Sequence, residues 1–280
     1  MSKNLIFYVN GKFVPKDEAR VSILDLGLIR GYGVFDFLRT YNGKPFKLDE
    51  HLRRLQNSAK QIGLECPSIG QVKQIILKTL AKNNLPEANI KILLTGGVSL
   101  DQITPADKPT LAVIITPAIS FPVAYYEKGI KVVTVPFGRS YHLAKTINYI
   151  PAILALKIAK KKKAIEALYT NKRGEVLEGT TSSFFLFKNG TLITPQDEIL
   201  KGITRQVVID LAKKEFKTVF RPIKYQELKE IDEAFITASN KEVMPVVKID
   251  NLTVGNGKVG ENTKRIMELF HDFSRDVRNP

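Results

Sequence analysis

The chain has 280 residues, of which 44% are hydrophobic and 25% charged, the balance of a soluble globular protein with room for one large domain or two of modest size. One cysteine, Cys66, excludes an internal disulfide and fits a reducing compartment, and three histidines (His51, His142, His271) at no ligand spacing argue against a metal site. The net charge is +15, from 43 basic and 28 acidic residues, but it is spread along the chain without interleaved aromatics, which argues against nucleic acid and suits the steering of small anions.

In chain order, residues 1–14 alternate as a strand and turn and lack the apolar region of a secretory leader. Leu5–Val9 and Phe13-Val14 flank Asn10-Gly11, a strong hairpin signal, and Val34–Tyr41 and Pro45–Leu48 flank Asn42-Gly43 in the same way. A helix is predicted next, with Asp49 as N-cap and Leu52, Leu55, Ala59 and Ile62 on one face. Another starts at Ser68, whose spacing to Gln71 is that of a capping box, and buries Ile69, Val72, Ile76 and Leu80. Lys91–Thr95 and Leu111–Thr116 read as buried strands. Even the longest apolar runs, such as Leu111–Ile115, are far shorter than the ~20 residues of a membrane helix, so a cytoplasmic protein that binds no membrane is expected.

Pro117–Pro122, proline-flanked and without helical period, marks a linker. Strands follow at Ile130–Val135, Glu166–Thr170, Phe184–Phe187, Thr191–Thr194, Glu233–Thr237 and Val243–Ile249, with Asn189-Gly190 as a third hairpin turn. Helices are predicted at Pro151–Lys162, Thr204–Glu215 and Gly260–Phe273, and Lys160–Lys163 is the solvated end of the first. Strands and helices without regular alternation argue an α+β fold rather than a doubly wound sheet. Gly31-Tyr32-Gly33 follows no strong strand and opens no helix, against dinucleotide binding. The expected division is 1–116, a linker at 117–124, and 125–280.

Three later segments carry chemistry. Lys145-Thr146-Ile147-Asn148-Tyr149 holds a lysine in a stretch with no other charge, and a desolvated amine is a better nucleophile and proton carrier. Glu178-Gly179-Thr180-Thr181-Ser182-Ser183 is an acid leading a hydroxyl run. Gly202-Ile203-Thr204-Arg205 opens a helix, whose N–H groups suit an anion.

With Arg54 in Leu48-Asp49-Glu50-His51-Leu52-Arg53-Arg54-Leu55, this ordered set resembles the class IV (fold-type IV) aminotransferases, from Val9-Asn10-Gly11 to Gly260. The resemblance implies a smaller N-terminal α/β domain, a larger mixed α/β pseudo-barrel domain, a homodimer, and pyridoxal 5′-phosphate (PLP) in the cleft between the domains. It assigns Lys145 to the PLP aldehyde and to the proton transfers. Glu178 goes to the pyridine nitrogen, and the hydroxyl run and the helix start to the phosphate. Arg54, Ile203, Thr204, Ser239 and Asn240 also go to the phosphate, and Tyr149 to the cofactor hydroxyl. Some relatives have asparagine where Ser183 stands.

For the substrate, the resemblance places Phe35 in the pocket wall. Branched-chain enzymes usually have tyrosine where Arg30 stands, and Bacillus-type D-amino-acid enzymes have an Arg-x-His pair near Asp101-Gln102-Ile103. Neither is present here. Leu28-Ile29-Arg30-Gly31-Tyr32-Gly33 instead resembles atypical D-amino-acid aminotransferases that hold the substrate carboxylate with an arginine, Lys91 standing where they have a second one. The expected reaction is transamination from a D-amino acid such as D-alanine or D-glutamate to a 2-oxo acid such as 2-oxoglutarate. L-branched-chain transamination, supported by Tyr149 and Phe35, an aminodeoxychorismate lyase, and a basic binding module on the same fold are the alternatives.

Overall fold

The computed structural model describes residues 4–106 and 108–276. By contact the chain forms two compact units. One comprises the chain up to Ile119, together with Leu143–Asn148 and the chain from Arg275; the other comprises Ser120–His142 and Tyr149–Ser274.

The first unit opens with β1 (Ile6–Val9) and β2 (Lys12–Pro15), joined at Asn10 and Gly11, whose φ angles of 44° and 90° make the left-handed turn that matches strand twist. A short helix, α1 (Leu26–Arg30), ends at Gly31, where φ is 66°, a left-handed C-cap that glycine adopts without strain. Then come β3 (Gly33–Tyr41), the Asn42-Gly43 turn, β4 (Lys44–Pro45), α2 (Leu48–Gln61), α3 (Ile69–Asn83), β5 (Ala88–Thr95) and β6 (Thr110–Pro117). The strands pair antiparallel in the order β2-β1-β6-β5-β3-β4.

One face of this sheet buries Val34, Leu38, Ile90, Ile92 and Leu94 against Leu52, Leu55, Ala59, Val72 and Ile76 of the two helices. Each such large aliphatic contributes about 1.5–3 kcal/mol relative to exposure. The period-2 alternation sends Phe35, Phe37, Lys91 and Leu93 to the opposite face, where Lys91 is exposed.

Ser68 and Gln71 form the expected capping box on α3. Asp49 is not the cap of α2. The helix starts two residues earlier, after Lys47 in a left-handed conformation, so Leu48 is helical rather than strand. Asp49 falls in the first turn, where a carboxylate suits the helix dipole, and there it accepts from Lys73 Nζ at 2.8 Å.

The second unit runs α4 (Val123–Glu127), β7 (Ile130–Val135), α5 (Ile150–Lys161), β8 (Glu166–Thr170), β9 (Glu175–Gly179), β10 (Ser183–Lys188), β11 (Thr191–Thr194), α6 (Ile203–Ala212), β12 (Thr218–Phe220), β13 (Ile223–Lys224), β14 (Glu233–Ala238), β15 (Glu242–Ile249), β16 (Leu252–Thr253) and α7 (Glu261–Arg275). Its ten-stranded sheet has the order β12-β11-β10-β14-β15-β7-β8-β9-β13, with β16 paired to β15.

The edges of that order are β12 and β13, yet only Arg221 and Pro222 separate them. Held flat, eight strand spacings of about 4.8 Å would set the edges about 38 Å apart. The link from Phe220 to Ile223 spans at most about 11 Å. The sheet is therefore curled into a half-barrel, filled by Phe184, Leu186, Ile193, Ile236 and Met244. On its other side Phe185 stacks on Phe235 with ring centroids 4.9 Å apart.

Sequence patterning misses α1, α4, β9, β12, β13 and β16. All but β9 are very short; β9 reads as polar because it carries Glu175 and Glu178, although every residue in it is buried. Among the described residues no helix is long and apolar enough to cross a membrane.

Candidate active site

In the first unit the N-terminal half of β3 has β5 on one edge and Lys145–Ile147 on the other. Phe35 N–H donates to the Lys145 carbonyl at 2.9 Å, Ile147 N–H donates to the Gly33 carbonyl at 3.1 Å, and Val34 and Thr146 form an antiparallel bridge. Lys145 N–H donates to the fully buried hydroxyl of Ser58 on α2 at 3.1 Å. The Lys145 backbone is thus fastened on both sides. Its half-buried side chain sets Nζ 4.6 Å from the centroid of the Phe35 ring, a cation–π contact. Lys145 and Phe35 are therefore brought together.

Directly behind Phe35, Asp36 points to the helical face and is fully buried. Its carboxylate accepts from Arg54 Nε at 2.9 Å and Arg54 Nη2 at 2.8 Å, and lies 2.6 Å from His51 Nδ1. Burial alone would raise its pKa, but the Arg54 charge, with His51 and the hydrogen bonds from both, holds it well below the usual carboxylate range. The ionised carboxylate only accepts, so His51 Nδ1 carries the proton and donates. Burial, with the Arg54 and Lys145 charges, pushes the His51 pKa down against the pull of Asp36, so the ring is neutral at pH 7. Arg54 commits its Nε and Nη2 donors to a bidentate fork that fixes the guanidinium plane.

Arg30 and Lys91 are both exposed. Arg30, in the last turn of α1, donates from Nε to the Gln102 carbonyl at 3.0 Å and from Nη1 to the Ile29 carbonyl at 3.2 Å. Lys91 shares the Phe35 face of the sheet, paired in register with Phe37. Gly33, three residues after Arg30, pairs with Thr95, four residues along β5 from Lys91.

In the second unit Glu178 is the fourth residue of β9 and 3% exposed. Its Oε1 accepts from Arg139 Nε at 2.8 Å and from the Leu200 N–H at 3.2 Å, which fixes the plane of the carboxylate. Burial alone would lower the Arg139 pKa, but the Glu178 charge raises it, so the pair is ionic. The Arg139 guanidinium also lies 6.0 Å from the Tyr149 ring centroid. Burial raises the Tyr149 pKa, with Arg139 opposing, so the phenol is protonated at neutral pH.

Gly202 is the N-cap of α6, with no side-chain cap. Helix geometry leaves the N–H groups of Ile203 and Thr204 without intrahelical partners and directed at an incoming anion. Ser239 and Asn240 occupy the tight turn after β14, closed by the Lys241 N–H donating to the Ala238 carbonyl at 3.1 Å. Arg205 is buried and donates to the Pro195 carbonyl at 2.7 Å; burial lowers its pKa to about 10.

Three of the hydroxyls in the run after Glu178 face a carboxylate within the chain. Thr180, Thr181 and Ser182 all turn their hydroxyls to the buried carboxylate of Glu166. Each hydroxyl has one proton to donate, and here that proton is taken. Asp36, Arg139, Glu166 and Lys241 were not legible as members of these clusters. The one signal present was the i,i+3 spacing of His51 and Arg54, which puts both on one face of α2.

A family model described as amino-transferase class IV matches residues 33–249. A protein named putative branched-chain-amino-acid aminotransferase, from Methanocaldococcus jannaschii, is 40% identical over 277 residues, covering 95% of each chain. The D-alanine aminotransferase of Staphylococcus epidermidis is 32% identical over 276 residues, covering 95% of this chain and 96% of that one. Among solved structures, a T.th. branched-chain amino acid aminotransferase with pyridoxamine 5′-phosphate superposes with a TM-score of 0.91 at 27% identity, covering 99% of this chain and 97% of that one. The chain belongs to the class IV aminotransferases and has their fold-type IV architecture. It is an enzyme of that class, and the class uses PLP.

Proposed function

We propose that this chain binds PLP and transfers the amino group of a D-amino acid to a 2-oxo acid. The observation that carries the transamination reading is the lysine at the edge of β3, fastened to β3 and α2 and resting on an aromatic ring. The donor set fits the cofactor: an amine for the aldehyde, a buried carboxylate with a fixed plane, and an uncapped helix N-terminus for the phosphate.

When bound, PLP supplies an electron sink that stabilises negative charge at the substrate Cα. Glu178 holds a proton at the pyridine nitrogen, and Arg139 keeps that carboxylate oriented. Tyr149 donates toward the cofactor hydroxyl. Arg54, the N–H groups of Ile203 and Thr204, and the Ser239-Asn240 turn bind the phosphate. The Lys145 amine would carry the proton of the substrate Cα, acting as base and then as acid. Phe35 shields that amine from water. The division into a smaller domain at 1–116 and a larger cofactor-binding domain at 125–280 belongs to the same proposal.

The D-amino-acid reading rests on Arg30, whose Nε reaches the backbone of the 101–104 loop from α1. That is the loop near which Bacillus-type D-amino-acid enzymes carry their Arg-x-His pair. A guanidinium there binds a substrate carboxylate through two donors, with Lys91 as the weaker second cation. L-branched-chain amino acids are the second reading, favoured by the 40% identical relative.

A homodimer is part of the proposal. Val21, Ile23 and Leu28, in and before α1, and Leu100 are exposed on two segments that Asp25 and Val98 bridge together, an apolar surface suited to a second copy.

Mixing the PLP-loaded protein with a panel of D- and L-amino acids, and following loss of the absorbance of lysine-bound PLP, tests the reading. Conversion by D-alanine or D-glutamate is expected, and conversion by L-leucine alone would replace it with the branched-chain reading. Lys145→Ala should abolish amino-group exchange in a protein that still folds; unchanged exchange would remove the whole assignment.

A further inference from the structure

Glu166 opens β8 and is fully buried, yet the mechanism gives it no task. Its Oε1 accepts from the Ala167 N–H at 3.0 Å and from the Thr180 hydroxyl, and its Oε2 accepts from Thr181 Oγ1 at 2.8 Å, Ser182 Oγ at 3.2 Å and Lys241 Nζ at 3.3 Å. The link from β9 to β10 is thus folded around one carboxylate. Gly179 closes it: a Cβ there would overlap Ser182 Oγ and press on Glu166 Cγ at 3.2 Å.

Lys241 comes from elsewhere in the chain, directly after the Ser239-Asn240 turn, and is 6% exposed. Its Nζ donates to both Glu166 and Thr181. Its carbonyl accepts from the Tyr126 hydroxyl at 3.2 Å. One buried ion pair therefore ties together two segments: the loop that follows Glu178, and the turn that holds Ser239 and Asn240. Burial would raise the Glu166 pKa, but the Lys241 charge and the hydroxyls of Thr180 and Thr181 outweigh it, so the carboxylate stays ionised.

We propose that Glu166 and Lys241 are positioning residues that lock the Glu178 loop to the Ser239-Asn240 turn, setting the spacing between the group that meets the pyridine nitrogen and a group that meets the phosphate. This rests on the PLP assignment above, so the test has one arm without cofactor and one with it. A buried pair suits the task because each member is costly to leave alone, which makes the two segments move as one.

Hydrogen exchange on the cofactor-free protein reads the lock directly. Lys241→Met should speed exchange at Thr180–Ser183 by about tenfold or more, and Glu166→Gln should do the same at Ser239-Asn240, each acting across the pair. The double variant Glu166→Gln/Lys241→Met, which leaves no lone charge, should fold and be less perturbed than either single variant. Exchange that rises only around the mutated residue overturns the proposal.

In the second arm, PLP affinity should fall by about tenfold or more in each single variant and recover partly in the double, in the order set by exchange. Loosened segments with unchanged PLP affinity reduce the pair to a structural role and overturn the proposal. A parent protein that takes up no PLP removes the cofactor assignment, and the positioning role with it, while the exchange result separates that failure from a missing lock.

Discussion

Two fully buried carboxylates, Asp36 in the first unit and Glu166 in the second, do the same physical job on different backbones. Asp36 collects His51 and Arg54 from a regular helix, where i,i+3 spacing sets both donors before the sheet arrives. Glu166 collects Thr180, Thr181, Ser182 and Lys241 from an irregular link and a turn, which have no fixed shape of their own. In the first case secondary structure positions the donors, and the carboxylate accepts from both and neutralises the Arg54 charge. In the second the carboxylate is the template on which the backbone folds. Loss of Asp36 should therefore cost energy with little change of shape, and loss of Glu166 should cost shape.

The sharpest test is Asp36→Asn, which leaves the part-buried Arg54 charge without its counter-ion. It should lower unfolding stability by about 3–5 kcal/mol in chemical denaturation while α2 stays helical by circular dichroism. A loss under about 1 kcal/mol would show that the fork is solvent-screened and the comparison empty.

Acid titration probes both carboxylates together. Their folded pKa values lie below the unfolded ones, so the stability they contribute is fully present above the ordinary carboxylate pKa of about 4 and is lost as pH falls below it. The acid limb of a stability–pH profile should be shallower in Asp36→Asn and in the Glu166→Gln/Lys241→Met double variant. An acid limb unchanged in both would deny them that role.

Arg30→Ala removes an exposed group bonded to backbone carbonyls. It should raise the KM for a D-amino acid by about tenfold or more, the worth of a charged hydrogen bond, with thermal stability nearly unchanged. Equal KM values for parent and variant would move the carboxylate contact elsewhere. The smallest effect is expected from Ser68→Ala, which deletes one half of the α3 capping box and should cost about 1 kcal/mol without touching transamination. It calibrates how much a local helix signal is worth beside the two buried carboxylates.

Legibility in the sequence follows the same division. The Asn-Gly hairpins, the Ser68–Gln71 box and the apolar faces of α2 and α3 were readable because each is a local preference expressed within a few residues. The Asp49 cap was misread because Lys47 takes a left-handed conformation and starts α2 two residues early. Glu178 was legible as an acid leading a hydroxyl run but not as part of a strand, since β9 shows no alternation and has every residue buried. The Thr180–Ser182 hydroxyls read as anion donors because the acceptor that claims their protons, Glu166, lies outside the motif.

Sequence alone determined the order of the chemistry-bearing segments, the α+β class and the family resemblance, because local propensity and residue type are written directly in the chain. Only the tertiary structure decided that Lys145–Ile147 pairs with β3, that the second sheet curls until its edges are two residues apart, and that Arg139, Asp36, Glu166 and Lys241 meet their partners. Those outcomes depend on backbone pairing and charge burial between residues far apart in the chain, and no local pattern encodes which distant donor a buried carboxylate will find.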